Sequence, residues 1–190
     1  MNRRRRGGLI GNLMLMTGLV GGGAIYYYRK PPELRLSNMF PKDFRRQDLT
    51  GRDFSGQMLA YADLSEANCT SASFQRADLQ YANLSGAICT ETILSDVNLQ
   101  HVNFSNVRFK HVRIHDSNCS HAIFEGANCT RCIFSRCMLT GARFQRADCF
   151  EANFSQADCS NADFAGADVR GAIFDGANTT GANFTGARRK

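Results

Sequence analysis

Residues Ala142 to Gly166 read ARFQR ADCFE ANFSQ ADCSN ADFAG, five consecutive pentapeptides that each open on alanine and carry phenylalanine or cysteine at the third place. The same phase extends far in both directions. From Phe44 to Phe184 every fifth residue is Phe, Leu, Cys, Ile or Val, with Thr179 the only exception in twenty-nine positions. Two residues ahead of each stands a small side chain, from Ala62 to Ala187, except where Val97, Val102, Val107 and Val112 replace it. That row also holds Thr92, Ser117, Cys132 and Cys137, and between the two rows the residue is most often Asp or Asn. A period of five fits neither the 3.6 of a helix nor the 2 of a strand, so the chain is a repeat architecture.

One repeat cannot bury its own apolar face, so stability has to come from stacked neighbours. The bulky row fills a central shaft, and the alanine row is small because it shares that shaft. Asp and Asn between them are placed to hydrogen-bond nearby backbone, and Gly166, Gly171, Gly176, Gly181 and Gly186 suit corners that need positive φ. The units Ala77-Asp78-Leu79, Ala82-Asn83-Leu84, Ala152-Asn153-Phe154 and Ala162-Asp163-Phe164 resemble the pentapeptide-repeat family. The resemblance implies an all-β solenoid: a right-handed quadrilateral β-helix, four pentapeptides to a coil, with about seven coils over residues 44–187. At an inter-strand spacing of ~4.8 Å the rod would be roughly 35 Å long.

With twenty residues to a coil, positions twenty apart lie above one another. Phe44, Leu64, Leu84, Phe104, Phe124, Phe144, Phe164 and Phe184 then form one column. Phe54, Phe74, Leu94, Ile114, Phe134, Phe154 and Phe174 form the opposite one. The first four small-row positions are Lys42, Gln47, Arg52 and Gln57, which do not fit a shaft, so the opening coil is expected to be distorted or to act as a cap.

Residues 1–7 are a basic leader, and Gly8 to Tyr28 contains no charge over twenty-one residues. At 1.5 Å per residue that segment spans ~31 Å as a helix, enough for the hydrocarbon core of a bilayer. It is read as a single transmembrane helix, with Tyr26, Tyr27 and Tyr28 at the interface. A cleaved signal peptide and an organelle transit peptide are the competing readings. Gly7 and Gly11, and Gly18 and Gly22, are spaced for close helix packing. Residues 29–43 form a short connector, and residues 188–190 are a basic tail.

The net charge of +6 belongs to those flanks. Between Phe44 and Ala187 there are twelve Arg and Lys against fifteen Asp and Glu. A basic stripe for nucleic acid is therefore not expected. Cys69, Cys89, Cys119, Cys129, Cys149 and Cys159 fall in the large row and Cys132 and Cys137 in the small one, which predicts buried thiols. Tyr61, Tyr81, His101 and His121 share one outward column, read first as a self-stacked ladder, then as a partner-docking strip, and last, at its two imidazoles, as a weak metal site. Two more columns, Glu91-His111-Arg131-Glu151 and the pairs Arg76 with Asp96 and Asp116 with Arg136, predict ion-pair ladders. Phe150 is the one large apolar side chain of the rod expected to point outward, and with Phe184 it completes the candidate contact residues.

No phosphate loop, nucleotide fingerprint, metal motif or nucleophile constellation occurs, so no catalytic residue, cofactor, metal or small-molecule substrate is expected. The reading is a non-enzymatic, membrane-anchored scaffold. Its expected partners are the subunits of a photosynthetic or respiratory membrane complex, the bilayer, and a second copy end to end. A thylakoid membrane is the location the family resemblance suggests; a bacterial plasma membrane and the mitochondrial inner membrane are alternatives. The rival is a soluble mimic of nucleic acid that regulates a DNA enzyme once the N-terminal segment is removed.

Overall fold

In the computed structural model the described residues are 41–190. Parallel bridges join residues twenty apart, from Asp43 with Asp63 to Asp168 with Arg188, without a slip of register. The two longer strands, β1 (Ile88–Thr90) and β2 (Arg108–Lys110), pair in the same parallel register. The described chain is thus a parallel β-solenoid of twenty-residue coils, four pentapeptides to each. The transmembrane helix expected over residues 8–28, with Gly7, Gly11, Gly18 and Gly22, lies outside the described residues. Among those described, no helix is long and apolar enough to cross a membrane.

The corners set the geometry. From Arg46 to Gly186 every fifth residue has φ between 53° and 72°, whether or not it is glycine. Most corners are closed by a turn bond such as Ala147 N–H to Phe144 C=O at 3.0 Å; those before Thr92, Val97, Val112 and Ser117 lack it. Positive φ at the third residue of such a turn is what a type II turn requires. The other amides point along the rod: Phe144 N–H donates to Asp163 C=O at 2.6 Å and Arg146 N–H to Ala165 C=O at 3.0 Å. Arg143 N–H returns to Ala122 C=O at 2.9 Å. Four of the five N–H groups of a pentapeptide are used this way. The fifth is taken by the Asp or Asn two residues before it, as in Ser155 N–H to Asn153 Oδ1 at 2.8 Å and Phe150 N–H to Asp148 Oδ1 at 3.1 Å. The preference for Asp and Asn thus closes the backbone hydrogen-bond account.

Inside, the two predicted columns are stacked aromatic ladders. Phe124, Phe144, Phe164 and Phe184 follow one another at centroid distances of 4.5–4.9 Å. Phe134, Phe154 and Phe174 do so at 4.9–5.0 Å. Across the shaft the ladders meet edge to face, Phe134 on Phe144 at 5.6 Å and 89°, an arrangement favoured by the ring quadrupoles. Where the small row widens to Val97, Val102, Val107 and Val112, the second ladder narrows to Leu94 and Ile114, and all six are buried. Volume is exchanged between rows rather than added.

Three polar members of the small row make the same bond, each reaching a large-row carbonyl twenty-three residues earlier. Thr92 Oγ1 donates to Cys69 C=O at 2.7 Å, and Cys137 Sγ to Ile114 C=O at 2.9 Å. Ser117 Oγ donates to Leu94 C=O at 2.7 Å and also accepts Val97 N–H at 3.0 Å. The Ser117 hydroxyl therefore bridges the two groups that a corner normally joins directly.

The opening coil is not distorted. It keeps the register, and its polar side chains act at the end of the rod: Gln47 Nε2 donates to Asp43 C=O at 2.9 Å and Gln57 Nε2 to Asp53 C=O at 3.3 Å. In later coils the equivalent carbonyls accept from the preceding coil, as Asp63 does from Phe44. The two glutamines stand in for that coil, so the cap alternative describes them.

All eight cysteines are buried free thiols. Burial pushes the Cys119 and Cys129 thiols well up and Cys159 to about 12; contact with the Cys69 thiol, reinforced by burial, does so for Cys89. An unfolded thiol ionises near ~8.5. Above that pH only the unfolded chain loses the proton, so stability is full below about pH 8 and falls as pH rises. Denaturant midpoints at about pH 7 and about pH 10 test this, the second being lower, and thiol reagents should label the chain only in denaturant. Ser117→Ala should cost about 1–3 kcal/mol in the same assay, because Val97 N–H loses its acceptor inside the shaft.

Candidate functional site

The outward column Tyr61, Tyr81, His101, His121 falls on corner positions, with φ of 61°, 60°, 57° and 58°. Left-handed backbone costs a non-glycine residue about 1–2 kcal/mol, yet four ring-bearing side chains in succession occupy it. The backbone holds them there. Tyr61 N–H donates to Gln80 C=O at 2.9 Å, Tyr81 N–H to Gln100 at 2.9 Å, His101 N–H to Ser120 at 3.0 Å and His121 N–H to Thr140 at 2.9 Å. Successive rings then stack at 5.0, 4.7 and 5.1 Å, with interplanar angles of 9°, 3° and 9°. An amide ladder runs beside them, Gln80 Nε2 to Gln100 Oε1 at 3.0 Å.

Stacking hides the ring faces from water but leaves the edges open: Tyr61 is 59% and Tyr81 43% exposed. The ladder ends where the column reaches Gly141. A Cβ there would lie 2.7 Å from Nδ1 of His121, so the last ring lies over the glycine. The two imidazoles face each other as a stack. Among the described residues no group of three or more His, Cys, Asp or Glu is placed to hold a metal ion.

Met58, 66% exposed, and Met138, 50% exposed, stand in the pentapeptides of Tyr61 and Gly141, at the two ends of the aromatic run. The column reading missed both, although each breaks the Asp or Asn rule at its position and so carried a signal. Ile93 and Ile173 break it too and are also exposed. Phe150 is therefore not the sole outward apolar residue; it is half-buried, with the Arg170 guanidinium 5.5 Å from its ring centroid. Phe184 is half-buried at the last coil, with Arg189 4.5 Å above its ring. Neither belongs to the aromatic corner.

The ion-pair columns form in part. Arg131 reaches Glu151 and Arg136 reaches Asp116, both at 2.6 Å. Among the described residues Glu91 with His111 and Arg76 with Asp96 form no pair, since register brings backbones together but leaves long exposed side chains free. Hydrogen bonds from Arg136 first and then from His115 hold the Asp116 carboxyl below the usual carboxylate range. A depression at the first coil is lined by Asp43, Arg45, Arg46, Gln47, Asp63, Ser65 and Glu66. Arg45 and Arg46 are engaged there with Asp43 and Glu66, which makes it a polar, ion-paired surface.

A family model described as pentapeptide repeats matches residues 72–110, 113–148 and 150–188, in eight copies. Among solved structures the chain is similar to HetL, a pentapeptide repeat protein involved in heterocyst differentiation regulation in the cyanobacterium Nostoc sp. strain PCC 7120. Identity there is 24%, over 77% of this chain and 78% of that one, with a TM-score of 0.42. QnrB1, a plasmid-mediated fluoroquinolone resistance protein, is 22% identical over 77% of this chain and 78% of its own, with a TM-score of 0.37. A pentapeptide repeat protein of the Arabidopsis thaliana thylakoid lumen is 29% identical over 55% of this chain and 69% of its own, with a TM-score of 0.30. No curated protein matches the chain by sequence.

Gly141→Ala should displace the His121 ring and shift its NMR resonances together with those of His101. Gly51→Ala, whose Cβ would meet nothing within 4 Å, carries the same backbone strain of about 1 kcal/mol and should leave both histidines unmoved.

Proposed function

The chain belongs to the pentapeptide-repeat family, and from that premise we propose that it is a non-enzymatic docking scaffold whose working surface is the aromatic corner Tyr61, Tyr81, His101 and His121. The observation that carries this reading is the stacked, edge-exposed ladder, held at strained backbone positions on a rigid frame. Aromatic side chains with fixed geometry and open apolar edges are the residues that anchor protein interfaces. Met58 and Met138 extend the strip with side chains that adapt to a partner's shape. The shaft is filled by side chains and the aromatic corner offers no pocket; Ser95 Oγ does meet His115 Nε2 at 3.0 Å, with His115 Nδ1 2.8 Å from Asp116, but that serine is buried, which supports a binding role over catalysis.

The uncharged stretch Gly8 to Tyr28 supports a membrane-tethered form of this scaffold, a structural subunit or assembly factor of a membrane complex. The thylakoid membrane is our first choice of location. The alternative, a soluble mimic of nucleic acid, calls for a face dense in carboxylates. The described surface instead interleaves them with arginines in pairs such as Arg131 with Glu151 and Arg170 with Asp168.

The full chain, extracted in mild detergent, should co-purify with specific membrane subunits identifiable by mass spectrometry. Tyr61→Ser with Tyr81→Ser should abolish that association while leaving the denaturant midpoint within about 1 kcal/mol of the parent. A monodisperse monomer with no companion subunit would overturn the scaffold reading.

A further inference from the structure

Among the described residues Arg52 and Arg76 each stand singly without an ion pair, and one stretch of the solenoid gathers three such cations. Arg46, Arg131, Arg136, Arg143, Arg146 and Arg170 each lie within ion-pair distance of a carboxylate. Among the described residues the side chains of Arg108, Lys110 and Arg113 make no ion pair and no hydrogen bond, and all three are exposed. They fall within six consecutive residues. Phe109 points into the shaft between Arg108 and Lys110, so these two share the outer face of β2 at roughly the 6.6 Å repeat of alternate strand residues. His111 turns the corner with φ of 56°, and Arg113 opens the adjoining face.

Register explains why these cations go uncompensated. Arg108 is paired with Ile88 before it and Asn128 after it, Lys110 with Thr90, and Arg113 with Ile93 and Ile133. Every axial neighbour is neutral. Glu91 stands one coil before His111 and makes no ion pair, while Arg131, one coil after it, is engaged with Glu151. The result is a cationic band one strand wide that runs across the rod and round a corner. His111 is half a coil from both His101 and His121, which puts this band on the corner opposite the aromatic ladder.

We propose that Arg108, Lys110 and Arg113 dock an extended acidic polypeptide segment, laid across the rod along β2, with carboxylates at alternate residues. The spacing of Arg108 and Lys110 is that of alternate side chains on any extended chain. The isoleucines on either side of Arg113 offer apolar contact to the intervening residues. A membrane surface would call for cations repeated along the rod, where this band has only neutral neighbours. Single-stranded nucleic acid would call for aromatic stacking platforms, where the flanks here are Ile88, Ile93, Ile133, Thr90 and Asn128.

The test is fluorescence anisotropy of a labelled peptide of alternating glutamate and serine, titrated with the full chain in detergent micelles at low salt. Binding should weaken by about tenfold in Arg108→Gln with Lys110→Gln and Arg113→Gln, and should decline with added salt. Arg131→Gln, a cation already paired, should leave it unchanged, and circular dichroism and the denaturant midpoint confirm folding of both variants. Arg113→Gln alone, giving a partial loss, provides a second reading. The proposal is overturned if the parent chain fails to bind the peptide or if the triple variant binds equally well. It is overturned too if the three cations instead govern binding to phosphatidylserine vesicles or to an oligonucleotide. Loss of peptide binding with membrane-subunit association intact separates this surface from the aromatic corner.

Discussion

Each fifth residue must sit in left-handed backbone, and almost everything else in the molecule follows from that bend. Four such corners return the chain to its starting direction after twenty residues, so coil lies on coil in strict register. Glycine is the natural occupant of these corners, yet arginines, histidines, tyrosines and acids hold many of them. What keeps them there is the ladder of backbone bonds on both sides of the corner, from the corner N–H to the next coil and from the following N–H back to the turn. Strain at one residue is offset by hydrogen bonds that form only if that residue is strained.

The register turns like residues into columns, and columns behave differently inside and outside. Inside, identical rings stack into two ladders locked edge to face, leaving little freedom for any member to change size alone. The Val-rich coils show the compensation: wider side chains in one row coincide with Leu94 and Ile114 in the other, and Ser117 bridges the corner between Leu94 and Val97. Outside, one column becomes an aromatic corner, while the opposite edge carries an unpaired cationic band that crosses the columns instead of following one.

Much of this was legible in the sequence because the period never slips. The two inward rows and the buried thiols follow from counting in fives, and once the family resemblance supplies four pentapeptides to a coil the twenty-residue register, the Phe columns and the Tyr–His column follow too, while Asp and Asn sit where their side chains can meet the backbone. Counting does not say how an exposed long side chain will turn, so Glu91 with His111 and Arg76 with Asp96 share a column without pairing. It also passed over Met58 and Met138, because the rule for their row described the average residue rather than the departures from it. The polar opening of the small row was harder still. Gln47 and Gln57 look wrong for a shaft and are right for an end, because the carbonyls they meet are those a preceding coil would have used.

The Phe ladders of the shaft recur every ten residues and the surface every twenty, so the two respond differently to changes in length. Inserting two pentapeptides keeps Phe over Phe but swings everything downstream through a half turn. Tyr61 and His121 would then face opposite directions, although little in the core would register the loss. Adding a whole coil restores the bearing and only lengthens the rod. A change of ten residues is thus tolerated inside and ruinous to any surface that bridges coils, so this solenoid is an indexed shaft whose azimuth, more than its stability, limits which lengths can be kept.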